Sequence, residues 1–275
     1  MDVSIFHPSM PALREAVACM YFMQHAPGEH RSYRSFPSVM TNLSFVRGAS
    51  IAADRDNIVL TGDDRMKEAT LLRQNLLQPC NVSYQGPVAE CTVFFHPLGI
   101  HHFPALYHRI SEADAFISLP PDGEPFAQFF REWKEGAEPL LLQQALEQWL
   151  IRLYQPASEP LLSRAIRSFD TSPMPSTQDL AKQLGVSRQT LYLQFQSRLG
   201  ISPAQFRKVL RFRKTAGWLV EHPEKETLTG LAYAMEFADQ SHMIRDFRQM
   251  TGVVPGEYFR RIERPFQGLI QWMPA

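Results

Sequence analysis

A chain of 275 residues is long enough for two domains, each burying its own core. An apolar fraction of 44% with 20% charged residues matches a folded globular protein and excludes a disordered tail or a fibre. The net charge of zero conceals a division: residues 1–160 carry 12 Lys and Arg against 18 Asp and Glu, whereas residues 161–275 carry 16 against 10. The basic second half is the one expected to meet a polyanion.

No run of eighteen apolar residues is present, and Asp2, Arg14 and Glu15 interrupt any signal-peptide pattern at the start, so a cytoplasmic location without a membrane partner is expected. Cys19, Cys80 and Cys91 are odd in number and widely spaced. They predict reduced, mostly buried thiols, not a disulfide framework or a thiolate zinc site, and none has the basic flank of a reactive cysteine.

From residue 37 to residue 96, β-type stretches at 39–46, 57–60 and 91–95 are separated by Gly48, Gly62, Pro79, Gly86 and Pro87. This spacing predicts a small antiparallel sheet or a barrel-like sandwich. His96, His101, His102 and His108 follow at a spacing that matches no closed zinc signature. They read as ordinary surface or core histidines, as polar wall of an effector pocket, or as metal ligands, in that order; Phe94, Phe95, Phe103 and Tyr107 read as core.

After Pro97 the pattern turns helical. Residues 126–134 and 138–154 show apolar groups at helical intervals, and Leu140, Leu141, Leu142, Leu146, Trp149, Leu150 and Leu153 form a stripe broad enough for a core or for a partner helix in a homodimer. Pro156, Ser158 and Pro160, then residues 171–176, break the pattern. They place a boundary between domains 1–160 and 161–275, with 161–170 as a connecting helix.

Residues 176–206 read STQDLAKQLGVSRQTLYLQFQSRLGISPAQF. Ser176 with Asp179 is a capping-box-like start, Leu180, Ala181 and Leu184 give an apolar face, Gly185 permits a left-handed turn, and Ser187 can cap a second helix anchored by Leu191 and Phe195. Residues 227–259 repeat the scheme: Leu231, Ala232 and Met235 pack one helix, and Met243, Ile244 and Phe247 pack the next. Gly200 with Pro203 and Gly252 with Pro255 close the two units identically. Two helix-turn-helix units, at 176–200 and 227–252, are therefore predicted. Between them residues 203–220 form a long amphipathic helix whose basic side chains, Arg207, Lys208, Arg211, Arg213 and Lys214, are candidates for a solvated or phosphate-facing side.

Residues 176–262 resemble the DNA-binding domain of the AraC/XylS family of bacterial regulators. The resemblance rests on Asp239, Gln240, Ser241 and His242; on Arg245, Asp246, Phe247 and Arg248; on Gly252, Val253, Val254 and Pro255; and on Leu180 with Ala181 and residues 199–203. It implies an α+β protein: an amino-terminal mixed α/β domain, cupin-like or a small sheet plus helices, that binds an effector or dimerises, and a carboxy-terminal all-α double helix-turn-helix domain. It further implies base-facing roles for Gln189, Tyr192, Leu193, Gln240, Ser241, His242 and Arg245, with Arg188 and Thr190 on the DNA backbone.

Three departures stand out. Leu193 replaces a common Arg and cannot make its bidentate contact to guanine; a thymine-methyl contact or simple packing are the alternatives. Gly230 sits where a helix former is usual. Glu236 occupies a turn position usually held by Gly, which predicts a left-handed carboxylate-bearing residue near phosphates.

The function expected is a sequence-specific DNA-binding transcriptional regulator of double-stranded DNA, with a small-molecule effector and RNA polymerase as further partners. The alternatives are a constitutive DNA-bound regulator and an enzyme with a regulatory helical domain. No nucleophile-elbow, phosphate-loop or zinc-hydrolase motif is present, so no catalytic residue, metal or cofactor is expected.

Overall fold

The β-rich pattern extends beyond residues 37–96 to the whole stretch from Asp2 to Phe95. It is seen in a computed structural model that describes residues 2–54, 56–63, 68–107, 116–119, 123–134, 136–221, 228–266 and 270–274. The strands are β1 (Asp2–Phe6), β2 (Val17–His25), β3 (His30–Ser35), β4 (Thr41–Arg47), β5 (Ala49–Ala53), β6 (Asn57–Gly62), β7 (Glu68–Arg73), β8 (Cys80–Gln85) and β9 (Val88–Phe95). A short helix α1 (Pro104–Tyr107), strand β10 (Phe116–Leu119), and helices α2 (Phe126–Glu132) and α3 (Pro139–Leu153) follow. Helix α4 (Pro160–Phe169) then leads into α5 (Thr177–Leu184), α6 (Arg188–Leu199), α7 (Pro203–Glu221), α8 (Leu228–Ala234), α9 (Gln240–Thr251) and α10 (Pro255–Arg261). This is the expected α+β arrangement, a sheet-bearing amino-terminal half and a helical carboxy-terminal half.

The strands divide into two sheets. One runs β1-β2-β9-β4-β7-β10. The other contains β3-β8-β6-β5, with β6 and β8 parallel and the remaining pairs antiparallel. Alternation along the first sheet sends Cys19, Tyr21, Met23, Val46 and Phe94 inward against Tyr33, Ile58, Leu60, Val82 and Tyr84 of the second. The opposite face presents Met20, Phe22, Phe45, Val93 and Phe95 to the helices. There Phe45 meets Phe129 at 4.4 Å and stands edge-on to Trp149 at 5.3 Å. Strand β2 is buried on both faces along almost its entire length, so its sequence shows no alternation, and period reading passed over it.

Helix α3 splits the leucine stripe in two. Leu142, Leu146, Trp149 and Leu150 are buried, whereas Leu140 and Leu141 are 55% and 56% exposed in its first turn. The three cysteines are free and buried, and burial pushes their thiols up, Cys19 to about 12, which keeps them protonated.

Two segments depart from the helical expectation after Pro97. Strand β10 pairs with β7, extending the first sheet. The all-α pattern expected for residues 161–275 holds through Arg261 and then ends: β11 (Glu263–Phe266) and β12 (Ile270–Pro274) pair with each other, and β12 joins the second sheet beside β3, Trp272 opposite Ser35 and Met273 opposite Arg34. The free edge of β3 explains this, because its backbone groups need partners and Met273 buries its side chain in the same core as Phe36. That core joins the two halves. Phe36 and Val39 pack with Phe169, Phe206, Phe212 and Tyr258, and Phe36 lies 5.1 Å from the Tyr258 ring.

Candidate DNA-binding surface

The first unit forms by the local chemistry its sequence suggests. Ser176 caps α5 by accepting from the Asp179 N–H at 3.2 Å, and its own hydroxyl donates to the Asp179 carboxylate at 2.6 Å. Gly185 then takes φ +71°, and the Val186 N–H returns to the Ala181 carbonyl at 3.0 Å, closing the helix before Ser187 caps α6 through the Thr190 N–H at 2.9 Å. Leu191, Phe195 and Leu199 turn into the core. Arg188, Gln189, Thr190, Tyr192 and Leu193 remain exposed on the outer side of α6.

The second unit repeats this geometry from α8, although Thr227 lies outside the described residues. Asp239 caps α9 by accepting from the His242 N–H at 2.7 Å, and Met243, Phe247 and Met250 are buried. Helices α6 and α9 are each twelve residues long, each begins at an oxygen-bearing cap, and each ends in a left-handed glycine, Gly200 or Gly252. Their outer faces therefore correspond position by position: Gln189 with Ser241, Tyr192 with Ile244, Leu193 with Arg245, and Gln196 with Arg248. Ser241 and Arg245 are exposed. Gln240 and His242 are half-buried: Gln240 accepts from the Thr229 hydroxyl at 2.7 Å, and His242 Nε2 lies 3.6 Å from Asp246. Gln196 and Arg248 are exposed one turn further along the same face. Sequence reading passed over this pair, although aligning the two caps would have found it.

Glu236 is left-handed, φ +58°, as its turn position requires. Its carboxylate does not stand free for phosphates. It folds back and accepts from the Met174 N–H at 2.7 Å, with Arg207 3.8 Å away, so this turn is fastened to the segment that follows α4. Gly230 lies inside α8, where a glycine weakens a helix by about 1 kcal/mol relative to alanine.

The basic side of α7 is likewise engaged within the protein and forms no open solvated face. Arg207 donates to the carbonyls of Pro175 and Met174, Arg211 to Asp246 at 2.8 Å, Lys208 to Gln249 at 2.6 Å, and Lys214 to the Phe169 carbonyl at 2.8 Å. Arg213 reaches the sheet half, donating to the carbonyls of Pro37 at 2.6 Å and Phe36 at 2.9 Å, and burial pulls its pKa down to about 10. Apolar periodicity gave the helix its correct buried side. It could not show that the cations would pair with backbone oxygens on other elements.

The sheet half also holds the ends of both α6 and α9. Asn75, itself left-handed, donates its side-chain amide to the Leu199 carbonyl, and His101 Nε2 meets the Arg198 carbonyl at 2.9 Å. Arg198 also pairs with Glu159 at 3.1 Å. At the second unit, Arg34 lies so close to Gly252 that a Cβ there would come within 2.8 Å of Nη1. The candidate histidine group is thus dispersed into structural tasks: His101 caps α6, His102 accepts from the Ala157 N–H at 3.1 Å and stacks on Tyr154, and His96 is partly buried. His108 lies outside the described residues. Among the described residues, no group of three or more His, Cys, Asp and Glu could hold a metal ion, and no helix is long and apolar enough to cross a membrane.

Residues 180–261 match the helix-turn-helix domain family. A probable thc operon regulatory protein of Rhodococcus erythropolis is 26% identical over 170 residues, which are 59% of this chain and 48% of that protein. The chain thus spans about half the length of this curated relative. Among solved structures, ToxT from Vibrio cholerae is 12% identical, with a TM-score of 0.45, over 88% of this chain and 97% of its own. An AraC-type DNA-binding domain protein from Chromobacterium violaceum is 24% identical, with a TM-score of 0.34, over 37% of this chain and 90% of its own.

Proposed function

We propose, from the match of residues 180–261 to the helix-turn-helix domain family, that the chain is a sequence-specific DNA-binding transcriptional regulator of the AraC type acting in the cytoplasm, and not an enzyme. The single observation carrying this reading is the correspondence of α6 and α9, identical in length, capping and closure, each with an exposed outer face. Gln189, Tyr192 and Leu193 on the first helix, and Gln240, Ser241, His242 and Arg245 on the second, are assigned to base edges; Arg188 and Thr190 are assigned to the sugar-phosphate backbone. Gln196 and Arg248 extend the two faces.

Residues 1–160 are assigned to effector binding or dimerisation and residues 161–275 to DNA. The anchors from Asn75, His101 and Arg213 give the first half mechanical purchase on the second, so a small molecule that altered the sheet half would alter the posture of α6. The exposed Leu140 and Leu141 suit a homodimer contact, and RNA polymerase is the expected partner at a promoter.

The test is fluorescence anisotropy of the full chain on fragments of its own upstream region and on shuffled fragments, over a range of salt. Preferential binding that weakens steeply with salt is expected. Equal binding to native and shuffled DNA at every salt concentration would overturn the proposal.

A further inference from the structure

The outer faces of α6 and α9 correspond in position and differ in chemistry. On each helix the exposed residues at spacings of four and then three fall on one stripe: Gln189, Leu193 and Gln196 on α6, and Ser241, Arg245 and Arg248 on α9. The shared caps and closures keep the stripes in register, so Leu193 stands where the second helix has Arg245, and Gln196 where it has Arg248. One stripe is neutral. The other carries two cations.

Those cations are uncommitted. Among the described residues, neither Arg245 nor Arg248 has a side-chain hydrogen bond or an ion pair, whereas the cations of α7 end on groups within the protein. The acid beside them is already taken: Asp246 accepts from Arg211 at 2.8 Å and lies 3.2 Å from Lys208. Two like charges three residues apart on a helix repel, and a ligand that supplies acceptors to both relieves that repulsion. The α6 stripe offers two side-chain amides and Leu193, which is 53% exposed and so is not spent on the core. Arg188, in the first turn of α6, precedes the stripe by one residue and points about 100° away from Gln189 around the helix.

Major-groove chemistry separates the two stripes. A guanidinium matches the paired acceptors O6 and N7 of guanine, a glutamine amide matches N6 and N7 of adenine, and a leucine side chain matches the thymine methyl. Arg245 and Arg248 are about 4.5 Å apart along the helix axis, against about 3.4 Å per base-pair step. A helix lying along the groove therefore brings them to base pairs one or two steps apart.

We infer that the chain reads a site with two unlike halves: guanines under α9, contacted at O6 and N7 by Arg245 and Arg248, and A·T pairs under α6, contacted by Gln189, Leu193 and Gln196. The inference rests on reading both outer faces as DNA-reading.

In vitro selection with the full chain from a random duplex library identifies the site, and anisotropy on the selected duplex measures the contacts. Guanines one or two base pairs apart are expected in one half and A·T pairs in the other. Replacing either guanine by 7-deazaguanine, which puts C–H where N7 accepts, should weaken the parent about tenfold. Arg245→Ala and Arg248→Ala should each bind the natural duplex about tenfold more weakly and become indifferent to the replacement at one guanine, a different one for each variant. Leu193→Arg should move the preference at one base pair of the other half to guanine. Because the replaced side chains are exposed, all three variants should keep the Tm of the parent.

Guanines in both halves or in neither would overturn the inference and leave the regulator reading standing. The same holds if the arginine variants weaken equally on every sequence, which marks phosphate contacts, or if 7-deazaguanine costs parent and variants alike. A library that enriches no sequence overturns the regulator reading and the inference with it.

Discussion

Replacing Glu236 by glycine is the perturbation on which local propensity and the observed contacts disagree. The residue is left-handed at φ +58°, a conformation that costs a side-chain-bearing residue about 1 kcal/mol and glycine almost nothing, so propensity alone predicts stabilisation. Against that gain stands the bond from the Met174 N–H to the carboxylate, 2.7 Å long and part-buried, in the class worth about 1.5–3 kcal/mol because one partner is charged. The Arg207 partner at 3.8 Å adds about 0.2–1 kcal/mol, kept low because both side chains are partly solvated. The extra freedom of glycine in the unfolded chain works in the same direction as these losses. The net expectation is destabilisation by about 1–3 kcal/mol. Urea unfolding of the full chain followed by tryptophan fluorescence would measure it. An E236G variant more stable than its parent would show that the bond to Met174 is worth less than the backbone strain, and that this turn is not fastened to the linker.

Three further expectations follow from the same geometry. If Leu193 reads a thymine methyl, replacing that thymine by deoxyuridine removes one buried methyl and weakens binding about fourfold, whereas Leu193→Ala becomes indifferent to the replacement; anisotropy on paired oligonucleotides decides, and equal sensitivity in both proteins refutes the contact. Removing the caps on α6 with Asn75→Ala and His101→Ala should cost about 1 kcal/mol each and speed amide exchange in residues 196–201 with little change around α9; uniform exchange across both helices would refute local anchoring. Burial lowers the pKa of His25, His96 and His101, so below the ordinary value of about 6.5 the unfolded chain binds protons that the folded chain refuses. Stability contributed by these groups is therefore present above that value and is lost as the pH falls through it, up to about 1.4 kcal/mol per pH unit for each group until its folded-state pKa is reached. A flat unfolding midpoint between pH 7.5 and pH 5.5 would contradict this.

What the sequence made legible was set by the range of the interactions involved. The caps at Ser176 and Ser187 and the glycine closures at Gly200 and Gly252 are decided within a few residues, and all adopt the expected geometry. The outer faces of α6 and α9 follow from the same local rules. Strand β2 was hidden because burial on both faces erases the two-residue period, and β12 because its partner, β3, is more than two hundred residues away in sequence. The destinations of Arg213, Asn75 and the Glu236 carboxylate were hidden for the second reason. Each bonds to a backbone group on a distant element, and a backbone group leaves no trace in residue identity.

The return of β12 to the edge of β3 also orders events during synthesis. The second sheet lacks its last two strands until residue 274 has left the ribosome, long after β3 has emerged. Throughout that interval β3 presents an open edge that another strand, including one from a second nascent chain, could occupy. Pairing of β12 with β3 thus follows synthesis of the helical half, and a chain cut after α10 would keep the outer faces of α6 and α9 and leave the edge of β3 unsealed.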